Sequence, residues 1–172
     1  RQLALYDALI QAGVTTFDTA DIYGQGASAE LLGRALGTER DHVVVATKFG
    51  MDMHGANGPD WGVRGSRRYV RLAVEASLRR LGTDWIDLYQ LPRPDETLAA
   101  LTELVQEGKV RYVGSSNLAG WQVVDADWTA RSEGLERFVS AQNEYSLLAR
   151  GVEEDLVPAC EHVGVGLLPY FP

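Results

Sequence analysis

The sequence has little of three features that would each assign a protein to a broad class: cysteine, net positive charge and long apolar runs. Cys160 is the only cysteine among 172 residues, so no disulfide can form within the chain, and a reducing, cytoplasmic location is predicted. Sixteen Lys and Arg against 24 Asp and Glu give a net charge of −8, which disfavours a nucleic acid or an anionic membrane as partner. No apolar run reaches the ~18–20 residues that span a bilayer.

Two phosphate-binding motifs are also absent. No G-x-G-x-x-G follows the first predicted strand, and no G-x-x-x-x-G-K-[ST] occurs anywhere in the chain. An open sheet that binds a dinucleotide therefore loses its main sequence support. The glycines of "GANGPDWGVRG", residues 55–65, follow no strand directly and are interpreted as a mobile loop.

The sequence does contain a regular alternation of helical and strand patterns. Strict alternation predicts parallel strands with right-handed crossovers, in either a closed (β/α) barrel or an open doubly wound sheet. Ser28 and Ser66 are predicted N-caps of the second and third helices. The predicted helices cover about 2–12, 28–37, 66–81, 95–107, 121–131 and 152–162, and the strands about 14–20, 42–49, 85–91, 109–117, 137–145 and 163–171.

A polar or aromatic residue ends each predicted strand. In a barrel of parallel strands, all the carboxyl ends lie on one face, where such enzymes build their active sites. Six successive strands with this property favour an α/β fold of the (β/α)8 barrel type, with about six of the eight strands present. These residues are Asp18, Lys48, Gln90, Ser115 to Asn117, Gln142 with Asn143, and Tyr170.

Asp18 and Lys48 end successive strands and are predicted to be neighbours. A partly buried ammonium beside a carboxylate is a tolerated pair, whereas either charge alone would not be. Tyr23 follows Asp18 closely enough to fold back over that pair. An ammonium near a phenol stabilises the phenolate and lowers the pKa, which would make Tyr23 a usable acid. The alternative is a structural ion pair at a barrel mouth with a packed tyrosine.

Several segments together resemble the aldo-keto reductase superfamily. They are "FDTADIYG", "ATKFG", "SLRRLGTDWIDLYQL", "GKVRYVGSSN", "SAQNEYS" and "LLPYFP", which occur in order over the whole chain. The resemblance implies a (β/α)8 barrel that binds NADPH and reduces small aldehydes and ketones to alcohols. It implies that Tyr23 is the general acid, that Lys48 lowers the pKa of Tyr23, and that Asp18 holds Lys48.

The same resemblance implies a set of cofactor contacts. Ser116, Asn117 and Gln142 would hydrogen-bond the nicotinamide carboxamide, and Tyr170 would stack on the nicotinamide ring. A carboxamide needs matched donors and acceptors, and an aromatic plate leaves one ring face open for hydride transfer. No metal site is predicted.

One position departs from the family pattern. After "DLYQL" the chain has Pro92, where the resemblance leads us to expect a histidine that orients the substrate carbonyl. Either this histidine is lost, or a segment between Leu91 and Asp95 is missing from the sequence. His54, in a long loop over residues 50–66 that could serve as a substrate lid, is interpreted as a solvated side chain. Loss of the histidine expected at position 92 would favour a non-catalytic cofactor-binding module, as in the potassium-channel β-subunits of the superfamily.

Two further expectations concern the chain as a whole. A complete barrel usually needs ~250 residues, so residues 1–172 are interpreted as one partial barrel domain that lacks its first strand and its C-terminal portion. A lysine at a strand end can also form a Schiff base with a carbonyl substrate, so an aldolase-type lyase acting through Lys48 is a third alternative.

Overall fold

Helices and strands alternate along the chain in a computed structural model that describes residues 2–62, 64–91 and 97–172. The helices of these residues are α1 (Gln2–Gln11), α2 (Ala27–Leu36), α3 (Arg67–Leu81), α4 (Thr97–Gln106), α5 (Gly120–Glu133) and α6 (Leu156–Val163). The strands are β1 (Thr16–Asp18), β2 (Val44–Lys48), β3 (Ile86–Leu91), β4 (Val110–Ser116), β5 (Ser140–Glu144) and β6 (Gly166–Tyr170). Short 3₁₀ segments cover Tyr23–Gly26, Gly37–His42 and Gly151–Glu153.

The six strands form one parallel sheet in the order β1-β2-β3-β4-β5-β6. Each strand therefore pairs with its neighbour in sequence, and the order never reverses. A doubly wound sheet contains such a reversal at its switch point, whereas a (β/α) barrel is built from consecutive neighbours. The fold is accordingly a curled part of a barrel, as the alternation and the polar strand ends predicted.

The core lies between the outer face of this sheet and the helices that pack on it. Helix α3 shows how the sequence builds that layer. The Ser66 hydroxyl caps it by accepting a hydrogen bond from the backbone N–H of Tyr69 at 3.3 Å. Val70, Val74, Leu78 and Leu81 recur at helical spacing, and all four are buried. Burying each such side chain contributes roughly 1.5–3 kcal/mol.

Two predicted helix boundaries were wrong. Helix α2 begins at Ala27 after Gly26, whose φ of 98° belongs to the left-handed region, so Ser28 lies inside the helix rather than at its cap. The Ser28 hydroxyl instead forms a hydrogen bond with the Thr19 hydroxyl at 2.9 Å. The last predicted helix is divided between the 3₁₀ segment Gly151–Glu153 and α6, so that Pro158 occupies the first turn of α6.

The single cysteine and the lengths of the helices can both be examined in the structure. Cys160 lies on α6 with 1% of its surface exposed, and burial raises the pKa of its thiol, as expected of a core residue and not of a reactive thiolate. None of the helices in the described ranges is long and apolar enough to traverse a bilayer.

Candidate active site

A cavity opens at the carboxyl ends of the strands. All seven residues that the sequence singled out for catalysis or cofactor binding line this one cavity, although they come from widely separated parts of the chain. The cavity is lined by Asp18, Ala20, Ile22, Tyr23, Lys48, Phe49, Met51, Ser116, Asn117, Gln142, Tyr170 and Phe171.

The ion pair predicted at the ends of β1 and β2 is present. The register pairs Asp18 with Ala46. Lys48 lies two residues beyond Ala46 on β2 and therefore points to the same face of the sheet as Ala46. Lys48 Nζ lies 2.5 Å from Asp18 Oδ2 and donates a second hydrogen bond to the Thr19 carbonyl at 3.0 Å. The Lys48 side chain is 13% exposed and that of Asp18 is 37% exposed, so the ammonium is the more enclosed partner.

Tyr23 folds back over this pair because the chain reverses immediately after it. Gly24, Gln25 and Gly26 all have positive φ angles, of 59°, 52° and 98°. This succession of left-handed residues is inexpensive mainly because two of the three are glycines. The Tyr23 ring is thereby held at the cavity mouth, half exposed, with its centroid 5.7 Å from Lys48 Nζ.

The pKa of Tyr23 corrects one expectation. From the sequence, we expect Lys48 to lower the pKa of Tyr23. In the structure, the pKa of the Tyr23 phenol is raised from its ordinary value. Partial desolvation is the largest cause, followed by the Asp18 carboxylate and by Tyr170. The physical reason is that Asp18 lies against Lys48 and cancels much of its positive field, while its own charge opposes a phenolate. Tyr23 is therefore protonated at neutral pH.

The opposite wall of the cavity is formed where β4 and β5 end. Asn117 follows β4 in a left-handed conformation with φ 58°, and its backbone N–H donates to the Gln142 carbonyl at 2.9 Å. Asn117 Nδ2 donates to Ser116 Oγ at 3.3 Å. Because that oxygen accepts, the Ser116 hydroxyl proton is free to point elsewhere. Ser116 and Gln142 are 4% and 7% exposed, which gives the wall a fixed set of donors and acceptors.

Tyr170 closes this wall at the end of β6. Its hydroxyl donates to Asn117 Oδ1 at 2.8 Å, which fixes the ring orientation relative to the end of β4. Phe171 packs edge-on against it, with ring centroids 5.2 Å apart and an interplanar angle of 85°. Tyr170 therefore presents a held aromatic surface beside the amide groups.

Gln90, Ser115 and Asn143 are predicted strand-end residues that do not line the cavity, and Gln90 lies nearest to the ion pair. It pairs in register with Lys48, so it is the immediate neighbour of the site, but it is completely buried and does not line the cavity. Neither its amide oxygen nor its amide nitrogen has a hydrogen-bond partner among the described residues. Gln90 thus belongs to the interior beneath the site and not to its open face.

The sequence reasoning missed a second polar group behind the site. Asp21 is 1% exposed, and its Oδ2 accepts a hydrogen bond from Asn57 Nδ2 at 2.9 Å. Arg80 Nη1 donates to Asn57 Oδ1 at 2.6 Å, so the three side chains form a chain. Burial raises the pKa of Asp21 to about 6, against lowering contributions from Asn57 and Arg80. A single sequence offers no signal for this group beyond an acidic residue within "FDTADIYG".

Part of the loop over residues 50–66 is anchored to the body of the protein. Met53 and Asn57 are buried, whereas Trp61 is 74% exposed and lies against Arg68, whose guanidinium carbon is 4.0 Å from the ring centroid. The His54 side chain is 70% exposed and is paired with Asp52, as expected of a solvated histidine. Pro92 and the connection from Leu91 to Asp95 lie outside the described residues.

Comparison with known proteins identifies the family of this chain. A family model described as "Aldo/keto reductase family" matches residues 1–172. This chain belongs to that family. It is 40% identical to "Probable aldo-keto reductase 1" of Glycine max, in an alignment that covers 93% of this chain and 46% of that protein. The chain thus spans about half the length of this curated relative.

A solved structure shows the same fold. The crystal structure of an aldo-keto reductase from Klebsiella pneumoniae in complex with NADPH superimposes with a TM-score of 0.83 at 34% identity. The match covers 99% of this chain and 57% of the Klebsiella chain. The described strands therefore correspond to a part of that barrel.

Proposed function

We propose that this aldo/keto reductase is an NADPH-dependent oxidoreductase that reduces a small aldehyde or ketone to an alcohol, with Tyr23 as the general acid. The supporting observation is the arrangement across one cavity. The Asp18, Lys48 and Tyr23 group, at the ends of β1 and β2, lines the same cavity as the Ser116, Asn117 and Gln142 group, at the ends of β4 and β5. The NADPH held by the related Klebsiella enzyme supports the choice of cofactor.

The second group suits a nicotinamide carboxamide. That group offers one carbonyl acceptor and two N–H donors, so its site needs donors and an acceptor at fixed positions. Ser116 Oγ already accepts from Asn117 Nδ2, and Asn117 Oδ1 already accepts from the Tyr170 hydroxyl. The Ser116 hydroxyl proton and the second N–H of the Asn117 amide are therefore available as donors. Gln142 lines the cavity with both an acceptor and a donor. When bound, NADPH would supply the hydride.

Tyr170 would set which face of the nicotinamide ring is open. Its ring is held by the hydrogen bond from its hydroxyl to Asn117. An aromatic surface of fixed orientation covers one side of a flat ring and leaves the other side toward the cavity. Tyr23 and Lys48 line the same cavity, so a carbonyl substrate bound there would have the nicotinamide ring and the phenol within one enclosure.

Tyr23 would donate its proton to the carbonyl oxygen as that oxygen gains negative charge. The raised pKa keeps the phenol protonated at neutral pH, so the acid is in its donating form before the reaction. The phenolate that remains would face the Lys48 ammonium, whose position is set by Asp18 and by the Thr19 carbonyl. Electrostatic stabilisation of this kind is worth most in an enclosed site.

The direct test is NADPH oxidation with a panel of aldehydes and ketones in the full-length protein. For Tyr23→Phe we expect kcat to fall about 10²- to 10⁴-fold with little change in NADPH affinity, because only the transferred proton is lost. Tyr6→Phe, on α1 and outside the cavity lining, is the matched control. Equal turnover in wild type and Tyr23→Phe would exclude Tyr23 as the acid.

A non-catalytic NADPH-binding module is the second candidate, favoured by Pro92 in place of an expected histidine. Proline can neither donate a hydrogen bond nor titrate, so it cannot orient a substrate carbonyl. Tight NADPH binding in calorimetry with no turnover over the whole substrate panel would support this candidate. Turnover at ordinary enzymatic rates would exclude it. Borohydride trapping of a substrate on Lys48 would instead indicate Schiff-base chemistry.

A further inference from the structure

The turn that carries Tyr23 is held at both of its ends by one polar chain, in which Asp21 and Asn57 are buried and Arg80 is partly buried. On its N-terminal side, Asp21 accepts from Asn57, and Asn57 in turn accepts from Arg80. On its C-terminal side, Gly26 is packed so tightly against Arg80 that an added Cβ would lie 2.4 Å from Arg80 Nε. Arg80 therefore lies directly against the segment that follows the tyrosine and is linked through Asn57 to the segment that precedes it.

The same chain joins the turn to Lys48. The backbone N–H of Asp21 donates to the Lys48 carbonyl at 3.1 Å, so Asp21 is attached to the end of β2 by its main chain and to Asn57 by its side chain. Arg80 Nη2 also donates to the Ala56 carbonyl at 3.0 Å. These bonds connect the Tyr23 turn, the end of β2, the loop around Asn57 and helix α3. None of the three side chains lines the cavity.

We propose that Asp21, Asn57 and Arg80 are positioning residues for the proposed acid: they hold the turn over residues 23–26 so that the Tyr23 phenol faces Lys48. The inference rests on the proposed function and adds a role that its catalytic set does not contain. The physical basis is that three of the four turn residues, Gly24 to Gly26, are left-handed and two of these are glycines, so the turn has little stiffness of its own. A misplacement of about 1 Å in a reacting group can cost about 10²-fold in rate.

The test compares Asp21→Ala with Asp21→Asn in the full-length protein. Alanine removes the acceptor for Asn57, whereas asparagine keeps an oxygen acceptor and removes only the charge. We expect Asp21→Ala to lower kcat about 10- to 100-fold with NADPH affinity within about twofold, since the carboxamide residues lie on β4 and β5. We expect Asp21→Asn to recover kcat to within about threefold of wild type. Asp41→Ala, an exposed carboxylate remote from the cavity, is the control.

Hydrogen exchange supplies a readout that does not depend on catalysis. The Tyr23 and Gln25 amides donate to the Ala20 and Ile22 carbonyls, each at 3.1 Å. Both amides should exchange faster in Asp21→Ala than in wild type or Asp21→Asn, while amides within α5 remain unchanged. If Asp21→Ala does not fold, Arg80→Met disrupts the same chain from the Gly26 side and should produce the same acceleration.

The outcomes separate this inference from the proposed function. No carbonyl reduction by the wild-type protein would reject the proposed function, and the exchange data alone would then decide the positioning role. Wild-type turnover with unchanged kcat and unchanged exchange in Asp21→Ala would overturn the positioning role only. Equal losses in Asp21→Ala and Asp21→Asn would also overturn it, because they would show that the charge matters and not the held geometry.

Discussion

The two ends of the sheet use the same kind of ion pair in opposite ways. At the amino end, Asp87 lies 2.8 Å from Arg40 and 2.9 Å from Arg111, and it accepts from the Val45 backbone N–H and from Trp85 Nε1. Each Asp87 oxygen thus has two partners. The two guanidinium groups lie over the Trp85 ring, at 4.4 and 4.9 Å from its centroid. Among the described residues, Arg40 Nε is the one side-chain nitrogen of this group that is buried without a hydrogen-bond partner, and the Asp87 carboxylate at its centre is fully paired.

At the carboxyl end, the polar groups are left partly unsatisfied. Asp18 has Lys48 as its ion-pair partner and is 37% exposed toward the cavity. Asp21 Oδ1 and both Gln90 amide atoms are buried without partners among the described residues. Buried polar groups are normally paired, so a concentration of unpaired ones marks a region arranged for something other than stability. The difference separates the end that stabilises the fold from the end that holds the candidate site.

The largest expected effect is that of removing the carboxylate at the amino end. Asp87→Ala would leave Arg40, whose side chain is only 10% exposed, as a buried cation without its ion-pair partner. We expect the free energy of unfolding to fall by about 3–5 kcal/mol. Urea denaturation of the full-length protein measures it, and NADPH affinity of the folded fraction should be unchanged. A loss similar to that of an exposed-residue control such as Asp41→Ala would contradict the structural role.

The next effect concerns the pH dependence contributed by Asp21. Its pKa is about 6 in the folded protein against the ordinary value of 3.8, so the folded state binds more protons than the unfolded state between these two pH values. Stability should therefore fall as the pH rises from about 4 to about 6, by an amount on the order of 3 kcal/mol at most. Asp21→Asn should lack this component. Denaturation of both proteins between about pH 4 and pH 6 should show that the free energy of unfolding falls more steeply with pH in wild type than in Asp21→Asn. The same pH dependence in both proteins would contradict this contribution of Asp21.

The smallest expected effect on stability is that of Asp18→Asn. The Asp18–Lys48 pair is partly exposed at the cavity mouth, so we expect a change of at most about 1 kcal/mol in the free energy of unfolding. The pKa of Tyr23 should nevertheless fall, because a carboxylate that opposes the phenolate is removed and the Lys48 charge is no longer offset. Ultraviolet titration with Tyr23→Phe as the subtraction reference measures that pKa. A rise, or no change, would contradict the explanation given for the raised value.

Local patterns predicted the helices and strands of this fold well. They failed where a contact between residues far apart in the sequence determines where an element begins or how a group titrates. Helix α3 and its Ser66 cap follow from spacing and a single hydroxyl, both readable within 16 residues. The start of α2 does not, because Ser28 bonds to Thr19 across the preceding loop and leaves Gly26 at the cap. The direction of the Tyr23 pKa shift was missed for the same reason. It depends on how closely Asp18 approaches Lys48.

The sequence by itself determined the alternation of helix and strand, the polar residues at the strand ends and the family of the chain, because these depend on residue type and spacing along the chain. Only the tertiary structure decided that seven residues from five strand ends line one cavity, and that Asp21, Asn57 and Arg80 meet behind it. Those outcomes depend on strand register and on distances between groups far apart in the chain. The order of residues predicts that Asp18 and Lys48 are neighbours, but the direction in which this pair and the surrounding burial shift the pKa of Tyr23 depends on distances that the order does not fix.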